Sequence, residues 1–272
     1  LDDRDIRQRD IVPSARLKDI TAVVIGTGAI GRQVALQLSA VGVPKMVLID
    51  PDIVSAENLA VQGFCPSDLG LRKVECVANW CEAINPPIDV KIHQERFKGS
   101  LIKEWMEKDE EVERVFFCCV DNMDVRKLIW ESLKPVVGGL FIDARMSAEV
   151  MRVLTADLTK NGPSTPDDNW IKTWFPQTQA FEGSCTSKST IYTASIAAGL
   201  MVAQMTKWLR NIPTDNDFKM DLMDMCIEHV KPVGEATDYW TAVLPEGGTG
   251  LVSTGALTPP ADDVQEMSAR YP

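Results

Sequence analysis

Histidine is nearly missing from this 272-residue chain, which has only His93 and His229. Their surroundings are unrelated, so a histidine-based zinc site and a Ser-His-Asp triad both lack support. The seven cysteines never stand as a C-x-x-C pair. Odd in number and scattered through a chain large enough to bury its own core, they indicate a reducing compartment rather than a disulfide framework. No run of about 18 uncharged apolar residues occurs, and no basic stretch followed by an apolar one opens the sequence. Basic charge is short as well: 28 Lys and Arg against 39 Asp and Glu give a formal net charge of -11. That sign is wrong for a general binder of phosphate backbones. The expectation is a soluble cytoplasmic protein with neither nucleic acid nor a membrane as partner.

What the chain does have is a globular composition, 45% hydrophobic and 25% charged, and an alternation of two periods. "LDDRDIRQRDIVPSARLKDI" is charged and aperiodic and reads as an N-terminal arm, residues 1–20. "TAVVIG" reads as a buried strand, Ile30, Val34, Leu38 and Val41 recur at helical spacing, and "KMVLID" supplies a second strand. Helical and strand patterns then alternate through "LGLRKVECVANWCEAI", "DVKIHQ", "LIKEWMEK", "RVFFCCVDN", "MDVRKLIWESL", "GLFIDARM" and "EVMRVLTADL". This order predicts an α/β fold with a doubly wound, largely parallel Rossmann-like sheet and helices on both faces. The domain is placed at residues 21–230 and includes a long functional loop at 160–186, rich in proline and polar residues. A strong helix follows, whose small residues Ala194, Ala197, Ala198 and Gly199 suit either the core or a subunit interface. Residues 231–272 read as a turn-rich tail.

The glycines of "GTGAIG" have separable tasks. Gly26 permits the turn out of the strand, Gly28 lets a phosphate approach the backbone, and Gly31 lets the helix lie close to the sheet. Free N–H groups at the helix start, around Gly28, Ala29 and Ile30, then face an anion. Asp50, closing the second strand, is placed to accept ribose hydroxyls. These features alone fit a nicotinamide enzyme. The next segment, "DPDIVSAENLAVQGFCPSDLGLRKVE", adds a phosphate clamp: Asn58 can donate its amide N–H to a phosphate, Arg72 and Lys73 at a helix start can neutralise a triphosphate, and Asp52 and Gln62 lie near the nucleotide. Asp121 and Asn122 end a strand across the sheet, where a carboxylate suits Mg²⁺. Mg-ATP fits this set better than NAD.

In this order the motifs "RDIRQRDIV", "GTGAIG", "LIDPDIVSAENL", "LGLRKVE" and "VDNMDVR", and a cysteine before an alanine-rich helix, resemble the ThiF/MoeB/HesA group of ubiquitin-activating-like adenylyltransferases. The resemblance covers roughly Asp3 to Arg210. It implies ATP phosphates on the glycine loop, ribose on Asp50, phosphate on Asn58 and Lys73, and magnesium on Asp121. It also implies a homodimer in which Arg7 is lent to the partner's site. Two departures stand out. Relatives commonly read N-x-x-R-Q, whereas "NLAVQ" places Val61 where a phosphate-binding arginine is usual. Many relatives carry two C-x-x-C pairs for zinc, and none is present here, so no structural zinc is expected.

The implied reaction is attack by the C-terminal carboxylate of a small carrier protein or peptide on the α-phosphorus of ATP. Pyrophosphate leaves and an acyl-adenylate forms, with positioning and charge neutralisation supplying the catalysis. Arg7, Lys73 and Asp121 would share that task. Cys185, just before a helix, would form a thioester or is a half-buried structural cysteine. Arg72 and Arg145 read as structural, and Cys118 and Cys119 as core or pocket wall. Trp170, Trp174 and Phe175 are either part of a lid or anchors of their loop. An NAD(P)-dependent oxidoreductase and a catalytically silent nucleotide-binding scaffold are the alternatives.

Overall fold

The run Ile20–Ile25 sends apolar side chains to both sides and forms a strand, β1, with five of its six residues buried. Such a strand belongs in the middle of a sheet covered on both faces. The computed structural model describes residues 4–108, 112–136, 138–158, 169–179 and 189–230. Beside β1 it contains β2 (Lys45–Ile49), β3 (Asp89–His93), β4 (Glu113–Cys118), β5 (Leu140–Ser147), β6 (Val150–Asp157), β7 (Asp217–Asp221) and β8 (Cys226–Val230). All eight form one sheet in the order β3-β2-β1-β4-β5-β6-β7-β8. The four junctions from β3 to β5 are parallel, and the three from β5 to β8 are antiparallel.

The parallel block is the mostly parallel, doubly wound sheet that the alternating pattern predicts. The hairpin from β5 to β6, turning through Ala148 at φ 52°, ends it. β7 and β8 were not foreseen, and they extend the sheet beyond that hairpin. Arg152 on β6 donates to both carboxylate oxygens of Asp217 on β7, at 2.8 and 2.6 Å, and ties the extension on.

The helices are α1 (Ser14–Leu17), α2 (Ala29–Val41), α3 (Ala56–Gln62), α4 (Lys73–Ile84), α5 (Gly99–Lys108), α6 (Met123–Leu133), α7 (Asn169–Lys172) and α8 (Ile191–Leu209). One core joins Ala22, Val24 and Leu48 of the sheet to α2, α4 and α8, through Val34, Leu38, Val77 and Met201. The other face joins Val23, Ile25 and Phe116 to α5, α6 and α7, through Ile102, Ile129, Trp130 and Trp170. Full burial of a side chain such as Leu38 contributes roughly 1.5–3 kcal/mol. α2 stops where Gly42 enters the left-handed region at φ 93° and donates to the Leu38 and Ser39 carbonyls, a glycine C-cap. Ala194, Ala197 and Ala198 are fully buried in the first core, so the small-residue face of α8 is used inside the chain. The backbone of α8 accepts at Ser195 from Gln37 of α2, at 3.1 Å.

β1 has β2 on one side and β4 on the other, so the crossovers leave in opposite directions. The crevice of a doubly wound sheet opens at such a switch point, beyond the carboxyl ends of the strands.

Candidate functional site

Glycines shape the exit of β1. Gly26 adopts φ 89°, and a Cβ there would stand 2.8 Å from the Cys119 carbonyl oxygen. Only glycine takes that conformation without strain. A Cβ on Gly31 would collide with the Gly26 carbonyl oxygen, so the first turn of α2 rests directly on the loop. Gly28 is the N-cap residue of α2 and has no side chain to offer the helix start. The N–H groups at Gly28, Ala29 and Ile30 consequently face outward without intrahelical acceptors. The Ile30 side chain is buried in the core; what it offers the site is its backbone.

The loop is clipped to β2. Asp50, 6% exposed, accepts the Thr27 N–H on Oδ2 at 2.6 Å and the Asp52 N–H on Oδ1 at 2.8 Å. Each carboxylate oxygen keeps a further lone pair for a hydroxyl donor. Thr27 was not singled out from the sequence; its part depends on the loop meeting the end of β2.

Asp52 and Lys73 meet. The Lys73 ammonium, on a side chain only 7% exposed, donates to Asp52 Oδ2 at 3.1 Å, and its backbone N–H donates to the Asp52 carbonyl at 3.0 Å. An ammonium has three donors, so this pair leaves capacity for an anion. Asn58 is spent partly on its own helix: its Oδ1 accepts from the Ser55 N–H and hydroxyl at 3.0 and 2.9 Å, which directs the amide donor away from them. Gln62 leans over Gly28, its amide atoms 3.8 Å from where a Gly28 Cβ would lie. Its Oε1 is buried without a partner.

Across the crevice, β4 delivers Cys119 against the glycine loop, its N–H donating to the Ile25 carbonyl at 2.8 Å. Asp121, two residues on, is exposed. Asn122 caps α6 with its Oδ1, accepting from the Asp124 and Val125 N–H groups, both at 3.0 Å, and keeps its amide N–H groups as donors. Burial raises the Cys118 and Cys119 thiols far above the usual cysteine range, which keeps them protonated and unreactive.

Behind this rim lies a polar cluster built around one carboxylate, in which Arg145 Nη2 alone of the guanidinium nitrogens is buried without a partner. Asp143 is fully buried and bonds to Arg126, to Arg145 Nε at 3.0 Å and to the Trp170 indole N–H at 2.8 Å. Arg126 also donates to the Val120 carbonyl, and Arg145 to the Thr173 carbonyl at 2.9 Å. Burial pushes the Asp143 carboxyl up, but Arg126 and Arg145 prevail and hold it below its ordinary range. Trp174 donates to the Met123 carbonyl at 3.0 Å, and Gln177 Oε1 accepts the Met123 N–H at 2.8 Å. Trp170 and Trp174 thus anchor their loop beside α6. Arg145 is structural, as is Arg72, which is exposed and paired with Glu75 at 3.1 Å.

Arg7 does not enter the site of its own chain. Arg4 donates to the Ser39 and Ala40 carbonyls at 2.6 and 3.1 Å, and Gln8 to the Val41 carbonyl at 3.0 Å. The arm is therefore tied to the far end of α2, where Arg7 is exposed. Cys185 and most of the 160–186 loop lie outside the described residues, as does the tail from 231. Among the described residues no group of three or more His, Cys, Asp or Glu side chains is placed to hold a metal ion. A magnesium ion would therefore need phosphate oxygens to complete its shell around Asp121. The open N–H groups of the helix start fit a nucleotide polyphosphate, and Gln62 could add only its amide N–H groups, since its unpartnered Oε1 is an acceptor. No helix of the described residues is long and apolar enough to cross a membrane.

The model of the ThiF family matches residues 4–240. The chain belongs to the ThiF family. Among curated proteins, this ThiF-family chain is 27% identical over 224 residues to ubiquitin-like modifier-activating enzyme 5 of Drosophila virilis, covering 75% of the chain and 53% of that protein. To the enzyme of the same name from Xenopus laevis it is 24% identical over 212 residues, covering 73% and 53%. It thus spans about half the length of these relatives. E. coli MccB superposes with a TM-score of 0.65 at 16% identity, covering 85% of this chain and 69% of that one. A structure of E. coli MccB with ATP gives 0.58 at 17%, covering 80% and 65%. These structural likenesses establish the fold.

Proposed function

We propose that this ThiF-family chain is an ATP-dependent adenylyltransferase that activates the C-terminal carboxylate of a small carrier protein or peptide. The observation that carries the reading is the uncapped start of α2, bracketed by Asp50 at one strand exit and the Lys73–Asp52 pair beside it. The N–H groups of Gly28, Ala29 and Ile30 hold phosphate oxygens, Asp50 accepts from ribose, and Lys73 neutralises charge. Asp121 is the magnesium ligand; the ion, when bound, offsets charge on the phosphates. The carboxylate forms a bond to the α-phosphorus while the bond to the β-bridging oxygen breaks, releasing pyrophosphate. Arg7 of a second copy reaches the site in a homodimer, and the protein works in the cytoplasm.

The relatives named for ubiquitin-like modifiers support a carrier of that kind, and family membership supports ATP over a nicotinamide cofactor. The test is carboxylate-dependent exchange of labelled pyrophosphate into ATP with candidate carriers. Exchange is expected with the true carrier, and Asp121→Ala lowers it by about tenfold or more. Equal exchange by that variant removes the magnesium assignment. ATP binding without exchange for any carrier selects the silent scaffold, the reading that Val61 favours, and bound NAD(P) in the purified protein selects an oxidoreductase. Cys185→Ala separates a thioester step from adenylation: retained exchange with loss of the thioester assigns the thiol.

A further inference from the structure

Next to the glycine loop lies a buried cation with no paired counter-ion among the described residues. Arg32 is 7% exposed, and its Nε is buried without a hydrogen-bond partner. Its guanidinium lies over the Phe64 ring, 5.4 Å from the centroid. No hydrogen bond or ion pair among the described residues engages it. Asp68 is the nearby carboxylate in electrostatic reach, but its Oδ2 accepts the Cys65 N–H at 2.8 Å. Burying a guanidinium without an anion is unfavourable, and buried charges in folded proteins are paired or hydrogen-bonded. Consistent with that, burial lowers the Arg32 pKa, against weaker opposing effects of Cys65 and Asp68.

Its position indicates which anion is missing. Arg32 belongs to the first turn of α2, its N–H donating to the Gly28 carbonyl at 3.0 Å. Its Nη1 ends 3.0 Å from where a Cβ on Gly63 would lie. Gln62, the preceding residue, is the side chain that leans over Gly28 with an unpartnered Oε1. One corner therefore holds two sets of donors that point to an anion, the open N–H groups of a helix start and a guanidinium unpaired among the described residues, with the Gln62 amide beside them.

We infer that Arg32 is an anion-binding residue of this site and takes the polyphosphate end of a nucleoside triphosphate, the part that departs as pyrophosphate. The inference rests on the proposed adenylation for its choice of phosphates. The α-phosphorus must stay open to the incoming carboxylate, whereas an enclosed cation suits the group that leaves. Negative charge gathers on the β- and γ-phosphates as the bond to the α-phosphorus breaks, and Arg32 neutralises it there.

The experiment compares the wild-type chain with Arg32→Met, which keeps a stem over Phe64 and loses the charge. Calorimetry with ATP, inorganic tripolyphosphate and AMP reads the contacts separately. Arg32→Met is expected to weaken ATP and tripolyphosphate by about tenfold or more and AMP by less than about twofold, with Arg32→Lys recovering part of the loss. Undiminished ATP and tripolyphosphate binding in Arg32→Met overturns the inference, and so does an equal loss for AMP, which marks a structural role. A wild-type chain that gains no thermal stability from tripolyphosphate overturns it with no variant needed. If Arg32→Met loses tripolyphosphate while the wild type catalyses no pyrophosphate exchange, the anion site stands and adenylation falls.

Discussion

Two buried arginines sit at neighbouring strand exits and are treated in opposite ways. At the exit of β4 and β5, Arg126 bonds to Asp143 and the Val120 carbonyl, and Arg145 and Trp170 complete the carboxylate's shell. At the exit of β1, the Arg32 guanidinium, Gln62 Oε1 and the first N–H groups of α2 have no partners among the described residues. In the first region both guanidinium groups have a carboxylate, although Arg145 Nη2 stays unpartnered, and the cluster holds the loop around Trp170 to the sheet. The second is open, and its guanidinium and N–H donors acquire a reason when a ligand supplies the missing negative charge. The difference separates framework from site without reference to motif: substitutions in the paired region should be read in stability, and those in the open region in binding.

The largest effect is expected at the paired end. Asp143→Ala leaves Arg126 and Arg145 buried without their carboxylate and should cost about 3–5 kcal/mol in chemical denaturation; a loss under about 1 kcal/mol would mean that the cluster does not form in solution. Because the folded Asp143 carboxyl lies below its ordinary value of 3.8, its contribution is fully present above about pH 4 and is lost as pH falls through the folded value. Asp143→Asn should lack that acid-side component below about pH 4. Next in size is Lys73→Met at the open end. It should weaken ATP binding by about tenfold while changing stability by less than about 1 kcal/mol, since the Asp52 partner is well exposed. A large stability loss with intact ATP affinity would move Lys73 into the framework. Smallest is Arg72→Ala, one residue away but in an exposed pair with Glu75. It should shift stability by at most about 0.5 kcal/mol and leave ATP titrations unchanged.

The β1–α2–β2 unit and its glycines were legible because the signals are local: β-branched runs, helical spacing and residues with one conformational use. Asp50 was legible for the same reason, standing at the end of a strand whose pattern is plain. β7 and β8 were not. "DFKMD" and "CIEHV" are five residues each, half polar, and they are strands because the β5–β6 hairpin offers an edge to pair with. The union of Lys73 with Asp52 spans 21 positions and depends on where α4 begins relative to β2. Arg32 carries no local signal, since an arginine in the first turn of a helix ordinarily reads as solvated. Its burial comes from α3 and Phe64 folding over it, a tertiary fact with no local trace. Asn122 shows a different case: the residue type that suggests a ligand contact is also a preferred helix cap, and its Oδ1 serves as one here.

The arm that carries Arg7 has an electrical consequence for the other end of α2. A helix presents partial negative charge at its carbonyl end and partial positive charge at its amide end. Arg4 places a full positive charge on the last carbonyls of α2, at Ser39 and Ala40. The chain thus neutralises one pole of this dipole from its own sequence and leaves the other, about 20 Å away along 13 residues, for a phosphate to complete.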